Sequence, residues 1–126
     1  MTKSAKSNKR DATKLPARYL QFQKSYPDVF RAYDMLGTAT ADAGPLDPKT
    51  RALVKLGIAI GGQMEGAVHS HTRRALEAGC TAAEIRHTVV LATTTLGFPS
   101  MMRCLSWVDD VLKDAACLPW PAMSAS

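Results

Sequence analysis

The 126-residue sequence contains no apolar run near the roughly 20 residues that a membrane-spanning helix needs. Its charged opening has no hydrophobic core ahead of Leu15, so the pattern of a secretory signal is absent too. Cysteine is scarce: Cys80, Cys104 and Cys117 form no Cys-x-x-Cys pair and no zinc spacing. An odd number of isolated thiols predicts reduced cysteines in a soluble cytoplasmic chain, filling small core or surface positions. Positive charge spread over a folded surface is also lacking, although the net charge is +5. Residues 1–18 set Lys3, Lys6, Lys9, Arg10, Lys14 and Arg18 against Asp11 alone, and the rest of the chain holds basic and acidic side chains in equal number. A neutral body excludes a basic nucleic-acid-binding face, so neither nucleic acid nor membrane is expected as a partner.

What is present is helical punctuation. The polar stretch Met1 to Thr13 cannot bury enough apolar surface to offset its ordering entropy, which predicts a disordered basic leader over residues 1–14. A single helical domain is expected over 15–116 and a tail over 117–126. Within the domain, Arg18 to Tyr26 reads as a short aromatic helix, and Pro27 suits the first turn of a second, carrying Val29, Phe30, Tyr33 and Leu36. Gly37 and the Thr/Ala run after it blur that helix's end, and Gly44-Pro45 stops it. Asp47 can cap a third helix that starts at Pro48 and carries Leu53, Leu56, Ile58 and Ile60. Gly57 and Gly61, four apart on one side, leave room for another helix to approach closely. A fourth helix runs from about Gln63 to Ala78 with Gly79 at its end, and Thr81 with Glu84 forms a capping box for a fifth, Ala82 to about Leu96. After Gly97-Phe98-Pro99, a sixth spans Ser100 to Ala115 with Met101, Leu105, Val108, Val111 and Leu112 inward. The expected fold class is all-α, an array of about six helices with no sheet.

One window combines acid, base and tight spacing: Gln63-Met64-Glu65-Gly66-Ala67-Val68-His69-Ser70-His71. At roughly 100° per residue, Glu65 and His69 lie on one face, about 40° apart. They read either as a carboxylate that orients a general base or as a solvated pair contributing about 0.2–0.5 kcal/mol to the helix. His69 and His71 diverge by roughly 200°, so one ion cannot be held by both histidines without breaking the helix. No metal and no cofactor are therefore expected. His71 shares a stripe with Met64, Ala67, Val68 and Ala75, as a hydrogen-bonded core histidine or a catalytic one, and burial there makes the imidazole neutral at pH 7. His87 reads as a polar-face residue.

The segment Leu46 to Leu112 resembles the carboxymuconolactone decarboxylase family, which includes the alkylhydroperoxidase D-like proteins. The resemblance rests on Leu46-Asp47-Pro48-Lys49-Thr50-Arg51, on Leu53-Val54-Lys55-Leu56-Gly57-Ile58-Ala59-Ile60, on His71-Thr72-Arg73-Arg74-Ala75-Leu76-Glu77-Ala78-Gly79 and on Thr81-Ala82-Ala83-Glu84-Ile85, in that order and spacing. It implies an all-helical homo-oligomer, trimer or hexamer, in which helices of neighbouring subunits close each site. The family's peroxidases carry a Glu, a Cys-x-x-Cys and a His. On this chain the His falls on His71, the cysteines on Met64 and Ala67, and the Glu on Ala52. Methionine and alanine can neither attack a peroxide nor resolve a sulfenate, so thiol peroxidase activity is expected to be lost. The decarboxylase branch needs proton transfer and an anion-stabilising pocket. The resemblance thus implies a small carboxylated substrate with His71 as acid/base, and it leaves the role of Glu65 and His69, further polar groups for the catalytic site, unfixed. Arg73 and Arg74, within a turn of His71, read either as ligands of a substrate carboxylate or as solvated charges beside Glu77. The alternatives are the alkylhydroperoxidase-type antioxidant activity of the family, which Met64 and Ala67 oppose, and a non-catalytic, ligand-binding oligomer.

Overall fold

The structure is a computed structural model, and it describes residues 12–116, with side chains through Lys113. Most of the leader, Cys117 and the C-terminal tail therefore lie outside the described residues. Seven helical segments follow one another: α1 (Ala17–Ser25), α2 (Pro27–Ala41), α3 (Pro48–Gly61), α4 (Glu65–Glu77), α5 (Ala82–Val90), α6 (Thr93–Leu96) and α7 (Phe98–Ala116). No strand occurs among the described residues. They divide into two compact units, one ending at Pro45 and the other beginning at Leu46.

The first unit is the pair α1 and α2. Tyr19 and Phe30 meet edge to face at 5.7 Å, and Phe22 packs against Tyr26 at 5.4 Å. Pro27 occupies the first position of α2, where its missing N–H costs nothing. The helix persists through the Thr/Ala run to Ala41, where Thr38 and Thr40 return their hydroxyls to the carbonyls of Asp34 and Gly37. Neither helix contains a buried residue, and Val29, Tyr33, Met35 and Leu36 are exposed.

The second unit holds a hydrophobic core. Asp47 caps α3 by accepting from the Thr50 amide at 2.8 Å, and Leu56, Ala59 and Ile60 face inward. Ile58, half a turn away, is 67% exposed. Against these pack Val68 and Ala75 of α4, Ile85 and Val89 of α5, and Met101, Cys104, Leu105, Val108 and Leu112 of α7. Each large member contributes about 1.5–3 kcal/mol by leaving water. The expected inward row of α7 is buried throughout. Cys80 and Cys104 are free, buried thiols.

Three details position α4. Gln63 takes a left-handed φ of 53° between α3 and α4, and its side-chain amide donates to the Ile60 carbonyl at 2.8 Å and to Cys104 Sγ at 3.2 Å. These bonds offset a conformational cost of about 1 kcal/mol or more for a non-glycine residue. At the far end Gly79 has φ 96°, with Gly79 N–H bonded to Leu76 O and Cys80 N–H to Ala75 O, the paired closure of a left-handed helix stop. The capping box of Thr81 and Glu84 then starts α5, both of its hydrogen bonds being formed.

Two expectations change. The single fifth helix is two: the Ala92 N–H turns back to Val89 O, the Thr93 hydroxyl takes the Val90 carbonyl at 2.6 Å, and α6 starts afresh. A threonine that satisfies a carbonyl by its side chain removes the need for an unbroken helix ladder there. Gly57 and Gly61 receive no close helix, since a Cβ at either would meet nothing within 4 Å. Their stripe faces away from the core formed by Leu56, Ala59 and Ile60.

Candidate functional site

Glu65, His69 and His71 all ride on α4, which packs against both α3 and α7. Val68, Thr72 and Ala75 anchor its buried side, and the Thr72 hydroxyl donates to the Val68 carbonyl at 2.7 Å. The helix is therefore a rigid platform from which the two histidines diverge.

His69 leans onto α7. Its Nε2 lies 2.9 Å from Asp110 Oδ2, with 18% of the imidazole and 43% of the carboxylate side chain exposed. The intrahelical neighbour Glu65 is not its hydrogen-bond partner. It stands exposed in the first turn, and one ligand atom each from Glu65, His69 and Asp110 lies within 4.8 Å of the others. The i, i+4 spacing thus brings Glu65 and His69 together, but the carboxylate that orients the imidazole comes from 41 residues away. Asp109, next to it, accepts from Arg86 Nε at 3.0 Å. Arg86 is buried, and this ion pair ties α5 to α7 one residue before Asp110. Neither the two aspartates nor Arg86 was singled out from the sequence. The signal that existed was a doubled acid in the otherwise apolar register of α7.

His71 has different surroundings. It is half-buried, and burial, reinforced by the positive charges of Lys55 and Arg74, lowers its proton affinity below the ordinary histidine value. It is a neutral imidazole at pH 7. Arg73 on the same helix is partly buried, and desolvation draws its guanidinium down while Glu77 opposes that shift. Arg74 is exposed. The helix thus presents a carboxylate-supported histidine in one direction and a cation-flanked histidine in another.

The residues at the peroxidase positions carry no redox chemistry here. Met64 caps α4 and is exposed, whereas Ala52 and Ala67 pack against the core. Burial pushes the thiols of Cys80 and Cys104 up, away from the reactive thiolate. Separately, Thr50, Leu53 and Val54 of α3, Glu84, His87 and Thr88 of α5, and Leu91 just after α5 line an open, mainly apolar groove of about 380 Å³.

The sequence model of the carboxymuconolactone decarboxylase family matches residues 27–110, extending upstream of Leu46 to take in α2. An uncharacterised protein of Haemophilus influenzae is 38% identical over 52 residues, which make up 41% of this chain and 46% of that protein, so the match spans about half the relative's length. In three dimensions the chain resembles the crystal structure of an apo carboxymuconolactone decarboxylase family protein from Legionella pneumophila. The TM-score is 0.65 at 24% identity, covering 76% of this chain and 86% of the other, a likeness of fold. No helix among the described residues is long and apolar enough to cross a membrane.

Proposed function

Because the chain belongs to the carboxymuconolactone decarboxylase family, we propose that it catalyses cofactor-free decarboxylation, or a related proton transfer, on a small carboxylated lactone or similar acid, with His71 as acid/base. The observation that carries this reading is the setting of His71: a half-buried, neutral imidazole with Lys55 and Arg74 close enough to depress its proton affinity. An anionic substrate is drawn to such a place. Its carboxylate offsets the two cations and raises the imidazole's affinity for a proton when the proton is needed.

The chemistry asks for little more. Loss of carbon dioxide breaks a carbon–carbon bond and leaves its electron pair on the substrate, delocalised toward the lactone carbonyl. A proton from the imidazolium quenches that carbanion, and solvent restores the proton. Lys55 of α3 and Arg74 of α4, the two cations that act on His71, are the groups proposed to hold the carboxylate before it leaves. Glu65 and His69, on the other side of the helix, have no direct part in that step.

The site is completed by a second copy of the chain in this proposal. Val54, Ile58, Leu91 and Phe98 in the second unit are exposed, as are Val29 and Tyr33 in the first, and large apolar side chains in such number signal a covered surface. Assembly as a trimer or hexamer would cover them. Thiol peroxidase chemistry is opposed by the residues at positions 52, 64 and 67 and by the raised thiols.

The test is carbon dioxide release from a panel of carboxylated γ-lactones by the full-length protein and by His71→Gln. Turnover lost in the variant at unchanged helical content supports the assignment; turnover that survives the substitution sinks it. Hydroperoxide consumption with a dithiol, measured in parallel, is expected to stay at background.

A further inference from the structure

We propose that Glu65, His69 and Asp110 form a binding site for a divalent transition-metal ion of the zinc or cobalt type, independent of His71. Three observations carry it. The first is the donor set: one imidazole nitrogen and two carboxylates, from two turns of α4 and one of α7, whose ligand atoms lie within 4.8 Å of one another. Two carboxylates match the charge of a dication. The imidazole directs the choice toward borderline transition metals and away from magnesium or calcium, which take oxygen ligands.

The second is the spacing. Ligands bound at about 2.0–2.2 Å to one ion stand roughly 3.0–3.4 Å apart when they share an edge. His69 Nε2 and Asp110 Oδ2 are 2.9 Å apart, close to that edge length, and an ion bound there replaces the proton they share in their hydrogen bond, which leaves to solvent. Glu65 is exposed at the start of α4, with a carboxylate oxygen within 4.8 Å of both other ligand atoms. Three protein ligands on one side leave the outward positions to water, the arrangement of zinc sites that are open rather than structural.

The third is support. Asp109 is fixed by buried Arg86 and holds α7 in register, while Val68 and Thr72 lock α4 against the core. Donors on two packed helices need little reorganisation to bind an ion. The divergence of the two histidines rules out a site built from both; it does not touch a site whose further ligand arrives from α7.

Full-length protein treated with a chelator is titrated with cobalt chloride by visible absorption and with zinc chloride by calorimetry. One equivalent per chain is expected, with visible cobalt bands and a rise in melting temperature on zinc addition. His69→Ala and the isosteric Asp110→Asn should each weaken binding at least tenfold and remove the bands, and Glu65→Gln should weaken it by less. His87→Ala should leave it unchanged. Asp110→Asn keeps the shape of α7, so it decides the matter even where His69→Ala does not fold. No saturable binding by the wild type, wild-type affinity in Asp110→Asn, or equal affinity for magnesium chloride would each overturn the proposal.

Discussion

His69 and His71 stand two positions apart on α4, yet their electrostatic surroundings are opposed. His69 meets Asp110 at 2.9 Å and has Glu65 nearby, whereas His71 has Lys55 and Arg74 as its charged neighbours. A helix turns neighbouring side chains by about 100° per residue, so a spacing of two sends them to nearly opposite sides, and the packing partner on each side decides the field. The lesson is that one helix can carry an acidic and a basic surrounding at once, provided that different helices flank it.

The largest expected effect bears on that division. His71→Gln should lower lactone turnover by about 10²–10⁴-fold, the usual worth of a positioned proton carrier, while His69→Gln should change it by less than about tenfold. Steady-state kinetics of both variants checks this, and equal losses would break the separation of the two directions. Next in size is the support beneath Asp110. Asp109→Ala removes the carboxylate that Arg86 Nε donates to in a mostly buried position, at an expected cost of about 1.5–3 kcal/mol in urea unfolding. The partly exposed bond between His69 and Asp110 is worth less, so Asp110→Asn without added metal should cost about 0.5 kcal/mol in the same experiment. A larger penalty for Asp110→Asn than for Asp109→Ala would reverse the ranking of anchor and ligand.

The smallest effect is a pH dependence. The folded chain binds a proton at His71 less readily than the unfolded chain does. As pH falls, the unfolded state therefore takes up that proton first, and stability drops. The contribution is fully present above about pH 6.5, the ordinary histidine value, and is lost as the pH falls through the lowered folded-state value. Urea midpoints recorded across that window should decline less steeply in His71→Gln than in the wild type. An unchanged slope would show that another group accounts for the acid side.

The fold was legible where local chemistry decides it. Asp47 before Pro48, Gly79 after α4 and the Thr81/Glu84 box each act within a few residues, and each forms its bond as expected. The fifth helix was misjudged because its break depends on whether Thr93 spends its hydroxyl on the Val90 carbonyl, a choice that periodicity does not encode. The glycine stripe shows the same limit: small residues permit a close approach without requiring one, and no helix among the described residues of this chain takes that place. At the site, Glu65 and His69 were visible as an i, i+4 pair, and the bond between His69 and Asp110 was not, because 41 residues and two helix crossings intervene.

By itself, then, the sequence determined the helical class, the main caps and stops, the absence of a cysteine pair at positions 64 and 67, and the opposite headings of the two histidines, since all of these follow from backbone geometry over a turn or two. Only the tertiary structure decided which helix lies beside each histidine. Packing of α4 between α3 and α7 gives His69 a carboxylate and half-buries His71 among cations, because side-chain surroundings in a folded chain are set by long-range burial of the apolar faces.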